Sequence, residues 1–278
     1  MNDVIEQIHP QLTVRDSMPP ATLRSKTGHG QTAHAGFEVR WARQACEVLE
    51  AQRLRHRVFV DEMGSQPASL PGSPPGHDID RFDAFCEHLL VRAVGTGGEP
   101  AEVIGTYRVL TPDAARRAGG LYSETEFDLH LLKPRLNKAV ELGRSCVHPQ
   151  WRSGGVVMAL WGALGEFMLA NNLDTMIGCA SIGMRDGGHG AASLWARLQQ
   201  THLAPLEWRV RPYLPLPVAQ LRQDVEVETP ALIKGYLRCG AKVLGAPAWD
   251  PYFRTADLPL LMRFDELPAR YRKHFLGT

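Results

Sequence analysis

Glu141 stands in an otherwise apolar run, Ala139-Val140-Glu141-Leu142, three residues ahead of Arg144. A carboxylate between apolar neighbours is expected to be half-buried, and burial raises its pKa toward the range useful for a general base. Two readings stay open: Glu141 takes a proton, or it forms an ion pair with Arg144 that only stabilises the strand. Residues three apart on a regular strand face opposite sides. Sharing a face requires a bulge, and Gly143 is a natural place for one.

Downstream lies the turn Gln150-Trp151-Arg152-Ser153-Gly154-Gly155, followed by an apolar helix. A strand, a glycine turn and a helix make a generic anion site, because the first helical amides are unpaired and glycine admits a phosphate closely. It is not a Walker loop, since no Lys-Ser/Thr follows, and Gly-x-Gly-x-x-Gly is absent. Cys146 and Cys179 lie in apolar strands beside this turn, where small buried cysteines pack well. His148 opens the turn before Pro149, with no nucleophile's partner in view.

The elements that must position these residues follow from periodicity and punctuation. Residues 1–36 hold Pro19-Pro20, Gly28 and Gly30 with no sustained period, and are expected to form a loose arm. A short alternating strand starts at Phe37, and a helix runs from Ala45 to about Phe59. Strands are expected over Cys86–Val94 and Glu102–Leu110, joined by a glycine hairpin at Gly95–Gly98. A loop and a short helical region follow, then a strand over Lys138–Val147, a helix over Val156–Ala170 and a buried strand over Thr175–Ser181. Pro205–Pro217 reads as irregular. Pro230 opens a helix over Ala231–Arg238 that Gly240 stops, and strands near Lys242–Leu244 and Pro259–Phe264 end the pattern. The order implies mixed α/β with one central crossover, in a single domain over 37–278.

Composition narrows the function. With a formal net charge of +1 in 278 residues, the chain is no general nucleic-acid binder. Its five cysteines are widely spaced without a CxxC pair, so no zinc site or disulfide framework is signalled, and a reducing cytoplasm is the expected setting. No metal-ligand spacing is present. The N-terminus shows no basic start followed by an apolar run, so no export signal is expected, and the longest apolar stretch is too short to span a bilayer.

The strand–glycine turn–helix–strand unit resembles the acyl-carrier-binding core of the GNAT superfamily. More closely, the chain is similar to the bacterial ornithine lipid synthases and their acyl-homoserine-lactone synthase cousins. The shared pattern runs through Arg55-His-Arg-Val-Phe59, Asp80-Arg-Phe-Asp83, Gly105-Thr-Tyr-Arg108 and Glu141-Leu-Gly-Arg144. The lactone synthases carry a Trp shortly after the Phe, where this chain has Ser65. The ornithine-lipid branch is favoured by His77–Asp83 with Cys86–Val91, by Glu141–Pro149 and Ile177–Ser181, and by the late runs Pro230–Arg238 and Asp250–Asp257.

The resemblance implies a GNAT fold, a mixed central sheet with flanking helices and an extended C-terminal half. It also implies an N-acyltransferase that moves a 3-hydroxyacyl group from acyl carrier protein to the α-amine of an amino acid, L-ornithine above all. The donor is an acyl-phosphopantetheine thioester, and no tightly bound cofactor is expected. The turn from Gln150 to Gly155 would hold the pantetheine phosphate. Glu141 and Arg144 are the candidate catalytic pair, and Arg55, Phe59, Asp80, Asp83 and Arg108 the candidate substrate-binding set. The arginines would orient a carboxylate. Asp80 and Asp83 would pair with those arginines or receive a cationic side chain. Tyr236 is a candidate acid for the departing thiol. A basic face of Arg53, Arg55, Arg57, Arg152, Lys234 and Arg238 would steer an acidic carrier. For the tail Arg270–His274, a peripheral contact with the inner membrane and a solvated end both stay open. Rival readings change the acceptor to glycine, glutamine, lysine or a homoserine derivative, or make the chain a silent lipid-binding protein on the same scaffold.

Overall fold

The computed structural model describes residues 32–34, 36–67, 70–94, 100–152, 154–269 and 271–272. Among these, Thr32–His34 (β1) forms an edge strand on Phe37–Trp41 (β2). The rest of the expected arm, the 95–99 hairpin and Ser153 lie outside the described residues. The helix Ala45–His56 (α1) continues as a π-helical turn, Arg57–Glu62, in which the Met63 amide reaches back to the Val58 carbonyl. Glu87–Val94 (β3) and Pro100–Leu110 (β4) pair antiparallel as the glycine hairpin implied. Pro112–Ala118 (α2) starts at Thr111, whose hydroxyl accepts from the Ala114 amide as an N-cap, and ends on a left-handed Gly119.

A short 3₁₀ turn, Tyr122–Thr125, precedes Phe127–Asp128 (β5). Then come Ala139–Val147 (β6), Gly155–Ala170 (α3) and Thr175–Gly183 (β7). The helix His189–Thr201 (α4) and the short strand Arg211–Pro212 (β8) follow, β8 pairing with β5. Ala231–Arg238 (α5), Lys242–Val243 (β9), Ala248–Asp250 (β10) and Thr255–Arg263 (β11) complete the described order. The main sheet runs β1-β2-β3-β4-β6-β7-β11-β10, with β9 also on β11. Among the described strands β6 and β7 form the parallel pair, joined by the α3 crossover, so the sheet is mixed as expected.

Alternation along the strands sorts their side chains onto two faces. Val140, Met176 and Ile104 pack with Leu160 and Leu164 of α3, and Ala256, Leu258 and Leu260 pack with Leu194 and Leu198 of α4. On the opposite face, Ala139 and Ile177 pack with Ala114 and Ala118 of α2, while Ala51 and Leu54 of α1 cover Leu90 and Cys146. This second face carries the polar residues described next.

Two local features shape the centre of the sheet. The parallel pairing of β6 and β7 stops after Glu141 and Ile177, and beyond that point the strands fork. At the fork Gly178 lies directly over the Leu142 carbonyl: a Cβ there would sit 2.3 Å from the oxygen. The second feature is the bulge. Thr106 pairs with Cys146 and Arg108 with Gly143, so Tyr107 opposes both Arg144 and Ser145, and Arg144 adopts φ +49°. The extra residue falls one position after Gly143. It turns Arg144 onto the face that already carries Glu141, as the sequence pattern required.

Candidate active site

Glu141 and Arg144 share a face but do not bond to each other. Glu141 is buried, and its carboxylate takes three hydrogen bonds from the Tyr122–Thr125 turn. Oε2 accepts from the Tyr122 amide at 2.5 Å, and Oε1 from the Ser123 amide and hydroxyl, both at 2.6 Å. Burial pushes its pKa up, against the pull of the Ser123 and Tyr122 hydrogen bonds. The ion-pair alternative for Glu141 therefore has no geometric basis. The Ser123 hydroxyl, which donates to Glu141, also accepts a weak hydrogen bond from Cys179 Sγ at 3.5 Å. Cys179 follows Gly178, so the Glu141–Ser123 pair sits at the fork.

Arg144 belongs to a second, larger cluster. Its guanidinium meets Asp80 at 3.0 Å and Asp78 at 3.3 Å, with the rings of Tyr122 and Phe253 at 4.9 and 4.5 Å. Arg55, fully buried on α1, bonds Asp83 through Nη1 and Nη2 and Asp78 through Nε, at 2.7–2.9 Å. Arg108 bonds Asp80 at 2.6 Å and Asp83 at 3.3 Å. Burial works against every one of these charges, yet Asp78 and Asp83 hold Arg55 above its usual range, and Arg55 and Arg108 hold Asp83 well below the usual carboxylate range. Burial also keeps the neighbouring His88 below its usual pKa, its Nε2 lying 3.1 Å from the Asp83 carbonyl.

Three arginines thus balance three aspartates. Asp80 and Asp83 are committed to guanidinium groups, which leaves them no charge for a cationic substrate. Buried Arg55 has no part in a surface basic face. Asp78 was the member missed, although the His77-Asp-Ile-Asp spacing places it two residues before Asp80.

Phe59, on the π-helical turn, packs edge-on against Phe253 at 6.0 Å. Phe253 also lines a cleft of about 720 Å³ bounded by Asp61–Gly64, Arg152, Gly183–Arg185 and Phe253–Thr255. Arg152 enters this cleft already paired with Glu62 at 2.6 and 2.7 Å, while its Nε reaches the Val147 carbonyl. Trp151 packs its ring against Phe37. His148 is structural: its Nδ1 accepts from the Gln150 amide. Gly154 caps α3 at φ +101°, a conformation that glycine alone adopts freely, and offers no side chain of its own to the first amides of α3. Burial pushes the Cys146 thiol up to about 12, and burial together with Glu126 and Asp257 holds Cys179 well above its usual value. Neither is a ready nucleophile.

On the helical face of the fork, an apolar crevice runs between Leu142, Gly178, Ala180, Leu260 and Tyr236. Tyr236 stacks on Trp161 and its hydroxyl meets that of Tyr107. The fork is thus approached from two sides: an apolar crevice with a phenol pair on one face, and the Ser123–Glu141 pair on the other.

The sequence matches the acetyltransferase (GNAT) domain family over residues 54–162. It is 37% identical over 253 residues to an L-ornithine N(alpha)-acyltransferase of Rhizobium meliloti (strain 1021), covering 87% of this chain and 84% of that one. It is 34% identical over 257 residues to the corresponding protein of Brucella abortus (strain 2308), covering 86% and 88%. Among solved structures, the AHL synthase LasI superposes with a TM-score of 0.50 at 16% identity, over 87% of this chain and 95% of that one, a likeness of fold alone. The chain is an N-acyltransferase of the GNAT superfamily and belongs to the L-ornithine N(alpha)-acyltransferase family.

Proposed function

We propose that the protein transfers a 3-hydroxyacyl group from the phosphopantetheine thioester of acyl carrier protein to the α-amine of L-ornithine, giving a lyso-ornithine lipid. The observation that carries this reading is the fork. It ends the pairing of β6 on its β7 side, next to a buried carboxylate linked to a hydroxyl. Backbone amides at such a fork can stabilise the oxyanion of a thioester under attack.

The donor enters from the α3 side. Its phosphate meets the first amides of α3 at Gly154–Gly155, and its acyl chain follows the apolar crevice along Leu142, Ala180 and Tyr236. The amine enters from the opposite face. One ammonium proton passes to Glu141 through the Ser123 hydroxyl, and the freed amine nitrogen attacks the thioester carbon. The C–S bond breaks as the tetrahedral centre collapses. The thiolate is protonated by Tyr236, which regains a proton from the nitrogen through solvent, and Glu141 returns the proton it took to solvent through Ser123. Arg144, Arg55 and Arg108 act at one remove, by fixing the bulge and the wall behind it.

The homoserine-lactone alternative finds no support in position 65, where buried Ser65 bonds the Phe253 carbonyl. Among the described residues no helix is long and apolar enough to cross a membrane. We place the reaction in the cytoplasm, with the lipid product passing to the inner membrane surface. The test is incubation with 3-hydroxyacyl carrier protein and a panel of amines, with products identified by mass. An ornithine amide is expected. A preference for glycine, glutamine or lysine would replace the acceptor, and no amide with any amine would remove the donor assignment as well.

A further inference from the structure

Beside the balanced cluster lies one that is not balanced. Glu126, Asp250 and Asp257 each place a carboxylate oxygen within 4.8 Å of the others, and among the described residues no arginine or lysine forms an ion pair with any of them. Asp257 is 3% exposed on β11, opposite Ser181 of β7, on the same face as Cys179. Glu126 follows the turn that carries Ser123, and Asp250 accepts the Tyr252 and Phe253 amides at 2.8 and 3.0 Å. Like charges this close repel. Burial first, then Asp257 and Asp250, pushes the Glu126 carboxyl up to about 9, and burial raises Asp257 too.

Oδ1 of Asp257 and both carboxylate oxygens of Glu126 are buried without a well-formed hydrogen bond, although Tyr122 lies near Glu126 and Ser181 near Asp257. An independent group points the same way. The Thr255 hydroxyl, 2% exposed, faces Asp257 without a well-formed hydrogen bond, and Thr255 lines the 720 Å³ cleft. Buried acceptors left open in this way cost free energy that a bound donor returns.

We propose that Glu126, Asp250 and Asp257, with Thr255, form the pocket for the side-chain ammonium of the acceptor. This rests on the ornithine reading above and supplies the element that selects it. An ammonium offers three N–H donors and no acceptor, and three converging carboxylates answer it. The pocket lies on the amine's face of the fork, and Cys179 links the two halves. Its thiol contacts Ser123 and feels the charges of Glu126 and Asp257. A diamino acid bridging the two places its α-amine at Ser123 and its distal amine among the carboxylates. The sequence pattern offered Asp80 and Asp83 for this cation; their arginines exclude them.

The experiment compares L-ornithine with L-norvaline, which lacks only the distal amine, by calorimetric titration and by acylation with 3-hydroxyacyl carrier protein. The wild type is expected to favour ornithine by about 10,000-fold in kcat/KM, since a site built around a polar group rejects the analogue without it. Asp257→Asn and Glu126→Gln, checked for folding by thermal melts, are expected to erase most of that ratio through KM for ornithine while norvaline turnover persists. Equal acylation of both amino acids by the wild type overturns the pocket and leaves the acyltransfer reading intact; this arm needs no variant. Selective ornithine binding without an amide product keeps the pocket and removes the acyltransfer reading. A calcium or magnesium ion that binds one per chain and resists displacement by ornithine overturns the proposal in favour of a metal site.

Discussion

Replacing Ser123 by alanine separates a proton route from a mere cap. The hydroxyl is buried and donates to Glu141 Oε1 at 2.6 Å, while the Ser123 and Tyr122 amides hold the same carboxylate independently. Ser123→Ala therefore removes one of three hydrogen bonds and leaves the turn pinned. A hydrogen bond to a charged group is worth about 1.5–3 kcal/mol. At about 2–4 °C per kcal/mol for a domain of this size, the melting temperature should fall by about 3–12 °C. That loss alone leaves kcat at 25 °C untouched, because the folded fraction stays near one.

If the hydroxyl carries the amine's proton to Glu141, kcat should fall by about 100-fold to 10,000-fold, the usual share of general base catalysis. The assay is thiol release under saturating ornithine, with a melt on the same sample. Ser123→Thr keeps a hydroxyl and should restore a measurable part of the rate. A Ser123→Ala enzyme that melts lower yet turns over within about threefold of wild type would refute the relay. Glu141 would then be the staple of a 3₁₀ turn. Glu141→Gln is the blunter probe, since an amide cannot accept from three donors, so its loss of rate mixes chemistry with a displaced turn.

Asp83→Asn breaks buried pairs with Arg55 and Arg108 and should cost about 3–5 kcal/mol, seen as a fall of about 6–20 °C in the melting temperature. The carboxyl of Glu126 has its folded pKa raised to about 9, so the folded protein binds more protons than the unfolded chain from about pH 4.3 upward. Stability without ligand should therefore decline as pH rises to about 9, and Glu126→Gln should flatten that slope in melts across the range. Gly178→Ala drives a Cβ into the Leu142 carbonyl and should cost about 1–3 kcal/mol while raising KM for the acyl carrier, measured by melts and saturation kinetics.

Much of the fold was legible because it is local. Pro230 and Gly240 bracket α5, and the apolar run after Gly155 gives α3. Other elements were not, among them β1, β5, β8 and β10 and the two that matter most for the site. The helix α4 starts at Gly188 and His189 rather than at a polar cap, yet its Leu194 and Leu198 carry a helical spacing that could have revealed it. The strand β11 begins at Thr255, four residues before the expected Pro259, because Thr255-Ala-Asp257 reads as polar when its partners are unseen. The site shows the same division. Glu141, Arg144 and the need for a bulge were readable from one segment. That Glu141 answers to Ser123, and that Asp257 meets Glu126 and Asp250, depends on segments the chain brings together only on folding.

The two charged clusters differ in what they leave undone. The arginine–aspartate cluster is closed: each aspartate meets an arginine, and its free energy goes into holding α1, the Asp78–Asp83 loop and the bulge in one arrangement. A closed cluster of that kind fixes geometry and has little left for a ligand. The Glu126–Asp250–Asp257 cluster is open: it has no cation of its own among the described residues, and Glu126 keeps its proton in place of one. An enzyme selecting one amine among many needs rigidity in the first and unsatisfied charge in the second, because discrimination comes from what the wrong substrate leaves unpaired. The Glu141–Ser123 pair sits between them at the fork. A variant that stabilises the empty protein by neutralising Glu126 should for the same reason stop telling ornithine from norvaline.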